Sequence, residues 1–260
     1  MMSRFGRLVP KRNAGRWRHP HGPMRVWAHR GDSKYVTENT IAAFAAARSK
    51  RADGVELDVR LDADGETVVF HDDDLMRLCG RPGRIERLPG HERAALRLPG
   101  GHAIPTLAEA IEACGPLELD VELKSPGPGR GGRLAAKVAD VLRASGAADR
   151  IIVSCFDPLA LLQFRRHAPE ISLGYLFHRD QALPLRMGLP APIAGVAAVH
   201  PDERLVTPTA VERWHARGYA VNTWTVDDPA RLRMLAAMGV DGVCTNDPAG
   251  ALAALGRAPT

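Results

Sequence analysis

The feature that most constrains this 260-residue chain is a regular alternation of short apolar runs with helical patterns. The runs begin near Val26, Val55, Leu119, Ile151, Leu173, Val196, Ala220 and Val243. Between most of them the apolar residues fall at helical spacing, as at 134–142, 159–166, 211–217 and 230–238. A strand that pairs with a parallel neighbour needs a crossover long enough to hold a helix, so this alternation predicts a parallel sheet of the α/β class. With 45% hydrophobic residues, the chain can bury a sizeable core, and one domain is the economical expectation.

Several of these strands carry charge where a purely structural strand would not. Residues 54–61 alternate in period two, which puts Glu56 and Asp58 on one face and Val55, Leu57 and Val59 on the other. If Asp64-Gly65 makes a two-residue hairpin turn, Asp58 stands opposite His71; a bulged turn shifts that pairing by one. Residues 117–124 alternate in the same way, so Glu118, Asp120, Glu122 and Lys124 share a side. Upstream, the apolar run 25–28 ends at His29, followed by Arg30 and Gly31. Asn39-Thr40 can then cap a helix carrying Ile41, Phe44, Ala45 and Arg48. Taken singly, each histidine is more simply a packing residue and each acidic strand face a solvated one. Glu118 and Asp120 read as structural. His91, His102, His178, His200 and His215 read as surface or packing residues, His200 being notable for its place at a strand end.

The fragments gain meaning from their order. His29-Arg30-Gly31, Glu38-Asn39-Thr40, Phe44, Glu56-Leu57-Asp58-Val59, Asp64-Gly65, Val69-Phe70-His71-Asp72, Ile104-Pro105-Thr106-Leu107, Glu122-Leu123-Lys124, Trp224-Thr225-Val226 and Thr245-Asn246-Asp247-Pro248 follow one another along the chain. Together they resemble the glycerophosphodiester phosphodiesterase family. Thr37 stands where that family has proline, Cys155 where a second serine is frequent, and residues 75–80 lack its usual threonines, differences that bear on the pocket rim.

The resemblance implies a parallel (β/α)8 barrel spanning 25–260, with its functional residues at the C-terminal strand ends. It implies hydrolysis of glycerophosphodiesters to sn-glycerol 3-phosphate and an alcohol, with attack either by water or by the substrate's own glycerol hydroxyl. His29 and His71 become the acid/base pair, in an order the sequence leaves open. Arg30 and Lys124 supply fixed positive charge, and Phe156 and Trp224 either line the substrate pocket or pack as buried rings. Glu56, Asp58 and Glu122 become the ligands of a divalent metal; three hard oxygen donors favour Mg²⁺ or Ca²⁺. Two other readings use the same residues: a phosphodiesterase acting on intact lipid, which needs an exposed apolar rim, and a binding barrel that has lost the reaction.

The remaining stretches carry less. Residues 73–103, rich in Gly, Pro and Arg with a short helical piece at 92–96, read as an insertion over the barrel mouth. Residues 1–24 form a basic tail without an apolar core, which predicts a solvated arm and not a secretory signal. No run is long enough to span a membrane. The net charge of +5 suits anionic substrates or membrane surfaces, and nucleic acid is not an expected partner. Cys79, Cys114, Cys155 and Cys244 lie singly, as expected of reduced thiols in a cytoplasmic protein of open oligomeric state.

Overall fold

A computed structural model describes residues 14–18 and 22–257. All eight expected strands form: β1 (Arg25–His29), β2 (Gly54–Leu61), β4 (Glu118–Leu123), β5 (Ile151–Cys155), β6 (Ser172–Phe177), β7 (Ala198–Pro201), β8 (Ala220–Thr223) and β9 (Gly242–Thr245). A short β3 (Thr67–Val69) joins them. The order β1-β9-β8-β7-β6-β5-β4-β2 closes through β1 pairing with β2, every one of these pairings being parallel, and β3 hangs antiparallel on the far end of β2. This is a closed eight-stranded parallel barrel ringed by helices.

The period-two reading of β2 holds. Val55, Leu57 and Val59 are fully buried in the main apolar core, with Phe44, Leu107, Leu134, Val138 and Phe164 from the surrounding helices. Each such side chain contributes roughly 1.5–3 kcal/mol by leaving water. Thr40 caps the helix Ile41–Ser49 by accepting the Ala43 N–H, and the helix buries Ala43, Phe44 and Ala47. Ile41, expected on its apolar face, is exposed. Four later helices start with a capping Asp or Thr followed by proline: Pro158–His167, Pro208–Ala216, Pro229–Ala237 and Pro248–Ala254. Proline there has no N–H to lose and its fixed φ suits the first turn.

The hairpin differs from the two-residue expectation. Val59 pairs with Val69, Arg60 with Val68 and Leu61 with Thr67, so Phe70 stands opposite Asp58 and donates its N–H to the Asp58 carbonyl at 2.9 Å. The loop holds three residues, because Asp62 accepts the N–H groups of Asp64 and Glu66 on Oδ1 and Gly65 takes φ +83°. His71 lies one residue beyond that pairing, with its carbonyl fixed by Arg60 Nε at 2.9 Å.

Residues 73–103 build a small satellite core on this hairpin. Leu75, Ile85, Leu88 and Leu98 pack with Val68, Phe70 and Ile104. The opposite end of the barrel is closed by part of the tail. Within Ala14–Trp17, Trp17 is 1% exposed, its ring 5.9 Å from that of Trp27, and it clusters with Ile152, Ala198, Ala220 and Cys244. The solvated-arm expectation therefore fails at Trp17, since an indole gains too much from burial to stay in water. Residues 1–13 and 19–21 of that arm lie outside the described residues. Among the described residues no helix is long and apolar enough to cross a membrane.

Candidate active site

The C-terminal strand ends enclose a cleft of about 190 Å³, lined among others by His29, Arg30, Glu56, His71, Glu122, Lys124, Phe156 and Trp224. Asp58 lies directly behind it, bonded to two of these residues. The closed barrel brings all nine sequence-selected side chains to one end.

Three carboxylates form its centre. Glu56, Asp58 and Glu122 each offer an oxygen within 4.8 Å of the others. They converge because β2 and β4 pair in register, Asp58 beside Glu122 and Glu56 beside Asp120, with like faces turned inward. Burial pushes Glu56 well above the ordinary carboxylate range, and the charges of Asp58 and Glu122 push it further. Glu122 is raised by burial as well, against the pull of Lys124. Asp58 differs: burial would raise it too, but Lys124 and Arg30 outweigh that and hold it far below the usual range. Lys124 Nζ lies 2.9 Å from Asp58 and 2.6 Å from Glu122, Arg30 Nε lies 3.1 Å from Asp58, and Asn39 Nδ2 donates to Asp58 at 2.8 Å.

The tight turn after β1 aims the cationic groups. Arg30 and Asn39 adopt the left-handed region at φ +58° and +56°, and Gly31 does so at +86°. For arginine that conformation is unfavourable, and it persists here because the surroundings fix it. Arg30 N–H donates to the Glu56 carbonyl at 2.8 Å and its side chain reaches Glu38 at 2.8 Å. The turn thus couples an acid of the cage to the Glu38-Asn39-Thr40 motif.

The histidines have different partners. His29 Nδ1 bonds Asn246 Oδ1 at 2.7 Å, and Asn246 is itself held by Asp227 through both its side-chain and backbone N–H. Burial, then the charge of Arg30, lowers His29 to about 4, so at neutral pH the ring is uncharged. Its Nε2 lies 3.9 Å from Glu56. His71 sits on the Asp58 side of the cleft; burial lowers its pKa, opposed first by the charge of Asp58. Its Nδ1 bonds Asp72 at 2.7 Å, and Arg77 Nε clasps the other Asp72 oxygen at 2.7 Å. Arg77 also makes two 2.8 Å bonds to Glu38. One guanidinium from the 73–103 segment therefore ties the partner of His71 to the partner of Arg30.

Phe156 and Trp224 meet edge to face at 5.5 Å on the rim. Beyond them opens a wider groove of about 730 Å³ with Leu159, Leu185, Pro128 and Pro158 in its walls. Two residues read as structural or packing from the sequence belong to the cleft: Asp120 and His200, paired at 3.1 Å. Period two already put Asp120 on the same side as Glu122, whereas His200 is marked only by its place at a strand end and reaches the cleft because β7 closes the barrel opposite. Arg77 and Asp227 were invisible as partners, since each acts across a loop, whereas Asp72 orients the histidine next to it in the quoted motif. Glu118, by contrast, pairs with Arg25 at 2.9 Å, away from the cleft.

The three carboxylates suit a divalent metal. They lack nitrogen and sulfur donors, they are buried, and at Glu56 the charges of Asp58 and Glu122 outweigh the relief that Arg30 brings.

Comparison with known proteins agrees with the geometry. The model of the glycerophosphoryl diester phosphodiesterase family matches residues 29–250. A glycerophosphodiester phosphodiesterase of Caldanaerobacter subterraneus is 33% identical, over 86% of this chain and 94% of its own. Among solved structures, an Oleispira antarctica phosphodiesterase in complex with the product sn-glycerol-3-phosphate superposes with a TM-score of 0.83 at 30% identity, covering 90% of this chain and 97% of that one. A Thermotoga maritima glycerophosphodiester phosphodiesterase gives 0.72 at 29% identity, over 88% and 96%. With the match running from His29 at the tip of β1 past Asn246 beyond β9, this barrel belongs to the glycerophosphoryl diester phosphodiesterase family of phosphodiester hydrolases.

Proposed function

We propose that this chain hydrolyses glycerophosphodiesters to sn-glycerol 3-phosphate and an alcohol, with a divalent metal and with His29 and His71 dividing the acid and base work. The observation that carries the reading is the convergence of three buried carboxylates with a histidine toward either side, each imidazole oriented through Nδ1. A phosphodiester is anionic, so an attacking oxygen needs that charge offset, a base to take its proton and an acid to protonate the leaving alcohol. Glu56, Asp58 and Glu122 are the residues that would hold the metal, and hard oxygen donors favour Mg²⁺ or Ca²⁺. A bound divalent cation supplies charge neutralisation at the non-bridging phosphate oxygens. Arg30 and Lys124 add fixed charge beside it, while Phe156 and Trp224 hold the organic part of the substrate against their rings. We assign this chemistry to one domain beginning at β1, in which residues 73–103 serve to steady His71 through Arg77. A cytoplasmic setting suits the free thiols and the water-soluble substrate.

The test is release of sn-glycerol 3-phosphate from glycerophosphocholine, first with chelator and then with Mg²⁺ or Ca²⁺ restored. Release that depends on the added ion is expected. Absence of turnover across a panel of glycerophosphodiesters with either ion would reject the reading.

One observation favours action on a more lipid-like substrate as a second reading. Leu183, Met187, Leu189 and Ile193 are exposed in the segment joining β6 to β7, and Leu159 is exposed beside the wide groove. Turnover of a lysophospholipid above that of glycerophosphocholine would favour it.

A further inference from the structure

The segment that joins β6 to β7 packs the wrong way round for a helical cover. It runs through two four-residue helices, Leu183–Arg186 and Ala191–Ala194. Gly188, Ala191 and Ala194 are buried, whereas Leu183, Met187, Leu189 and Ile193 are 56%, 42%, 50% and 68% exposed. A helix that only shields a barrel turns its large apolar residues inward, as the neighbouring Pro158–His167 does with Leu161 and Phe164. That neighbour also anchors the segment, Arg165 donating to the Gly195 carbonyl at 2.7 Å.

Single exposed apolar residues are ordinary, so their clustering is what matters. Nine large apolar side chains are exposed among the described residues; four stand on this segment, and a fifth, Leu159, shares the wide groove with Leu185. Clusters of that kind mark interaction surfaces. Charge and area decide what this one meets. Apart from the buried His200, the only ionisable side chain in residues 181–201 is Arg186. Arg186 bonds the Arg179 carbonyl at 3.4 Å and pairs with no carboxylate among the described residues. Asp180, the acid just before the segment, is taken up by Arg179 at 3.6 Å. The five apolar side chains together offer on the order of a few hundred Å², well short of the roughly 800 Å² per partner that a stable protein interface buries. A lipid bilayer sets no such threshold, because it closes around any apolar group that enters it, and anionic headgroups attract a guanidinium without a carboxylate partner.

We propose that Leu183, Arg186, Met187, Leu189 and Ile193 form a peripheral docking surface for an anionic lipid bilayer. The apolar side chains enter the headgroup boundary, Arg186 pairs with lipid phosphate, and the barrel stays outside. Leu185, on the same short helix as Leu183, lines the wide groove, so docking sets one wall of that groove beside the lipid. The surface stands whether or not the chain hydrolyses glycerophosphodiesters, since none of these five side chains lines the carboxylate cleft.

The experiment is co-sedimentation of the full chain, without substrate, with vesicles of phosphatidylcholine alone and of phosphatidylcholine mixed with phosphatidylglycerol. The wild type is expected to pellet with the mixed vesicles, much less with the neutral ones, and to be released by added salt. Leu189→Ser combined with Ile193→Ser should weaken partitioning by about tenfold or more, and Arg186→Gln by roughly three- to fivefold. All three changes fall on exposed side chains, so melting temperatures should match the wild type. No binding to either vesicle, equal binding to both, or binding that the variants leave unchanged would overturn the proposal. So would a wild-type dimer in solution that the double variant dissolves, which would give the face to a second copy of the chain.

Discussion

The two ends of the barrel are built from the same strands in opposite ways. At the C-terminal end, β2 and β4 present Glu56, Asp58 and Glu122 to one another, balanced by Lys124 and Arg30. Toward the N-terminal end, Trp17, Ile152, Ala198 and Ala220 make an apolar plug beneath Trp27, which itself lines the cleft. Buried charges repay their lost hydration only when paired and well oriented, so the upper end gains little stability from its contacts. Aromatic and aliphatic packing has no such penalty. The contrast teaches that the fold is held from below and around, leaving the upper end free to hold like charges close together for chemistry.

Substitutions at the two ends should therefore separate rate from stability. The largest effect is expected for His29→Ala and His71→Ala, each lowering kcat by about 10²- to 10⁴-fold with the melting temperature nearly unchanged. Assaying both on an ester with an activated aryl leaving group sharpens the division of labour, since loss of the acid matters least there. A matching fall in melting temperature would break the contrast, because it would make the histidines structural.

Trp17→Ala should do the reverse. Removing a fully buried indole costs about 3–5 kcal/mol in a denaturant titration, with kcat of the folded fraction intact. If kcat falls while stability holds, the plug is part of the site and the two ends are not independent.

A smaller effect is expected at Arg77, which joins the 73–103 segment to the site through Asp72 and Glu38. Arg77→Ala should lower kcat about 10- to 100-fold, as loss of an orienting partner does elsewhere, with KM little altered. Unchanged kcat would show that His71 and Arg30 hold their positions unaided. The smallest effect concerns thiol chemistry. Burial pushes Cys114 and Cys155 up to about 12 and Cys244 well above its ordinary value, whereas Cys79 is only part-buried. A disulfide exchange reagent at pH 8 should find at most one reactive thiol in the native protein, Cys79, and four after denaturation. More than one native thiol would show that the core around the barrel opens readily.

Whatever depends on local periodicity was legible in the order of the residues. Eight strands, the shared face of Glu56 and Asp58, and the shared face of Glu122 and Lys124 follow from alternation along an extended backbone, whereas the inward turn of those faces and the strand-end places of His29, Lys124, Phe156 and Trp224 were expected from the family resemblance. The tertiary structure alone decided what depends on closure and on loops. Asp58 faces Phe70 because an Asp62-centred turn took three residues, a choice between near-equal local geometries. Asp120 and His200 become neighbours only when β4 and β7, far apart in sequence, face each other across a closed barrel, and Trp17 finds its pocket only once that barrel has a bottom. Periodicity is a property of a few consecutive residues. Proximity across a barrel is a property of how all eight strands meet, and no short window of the chain contains it.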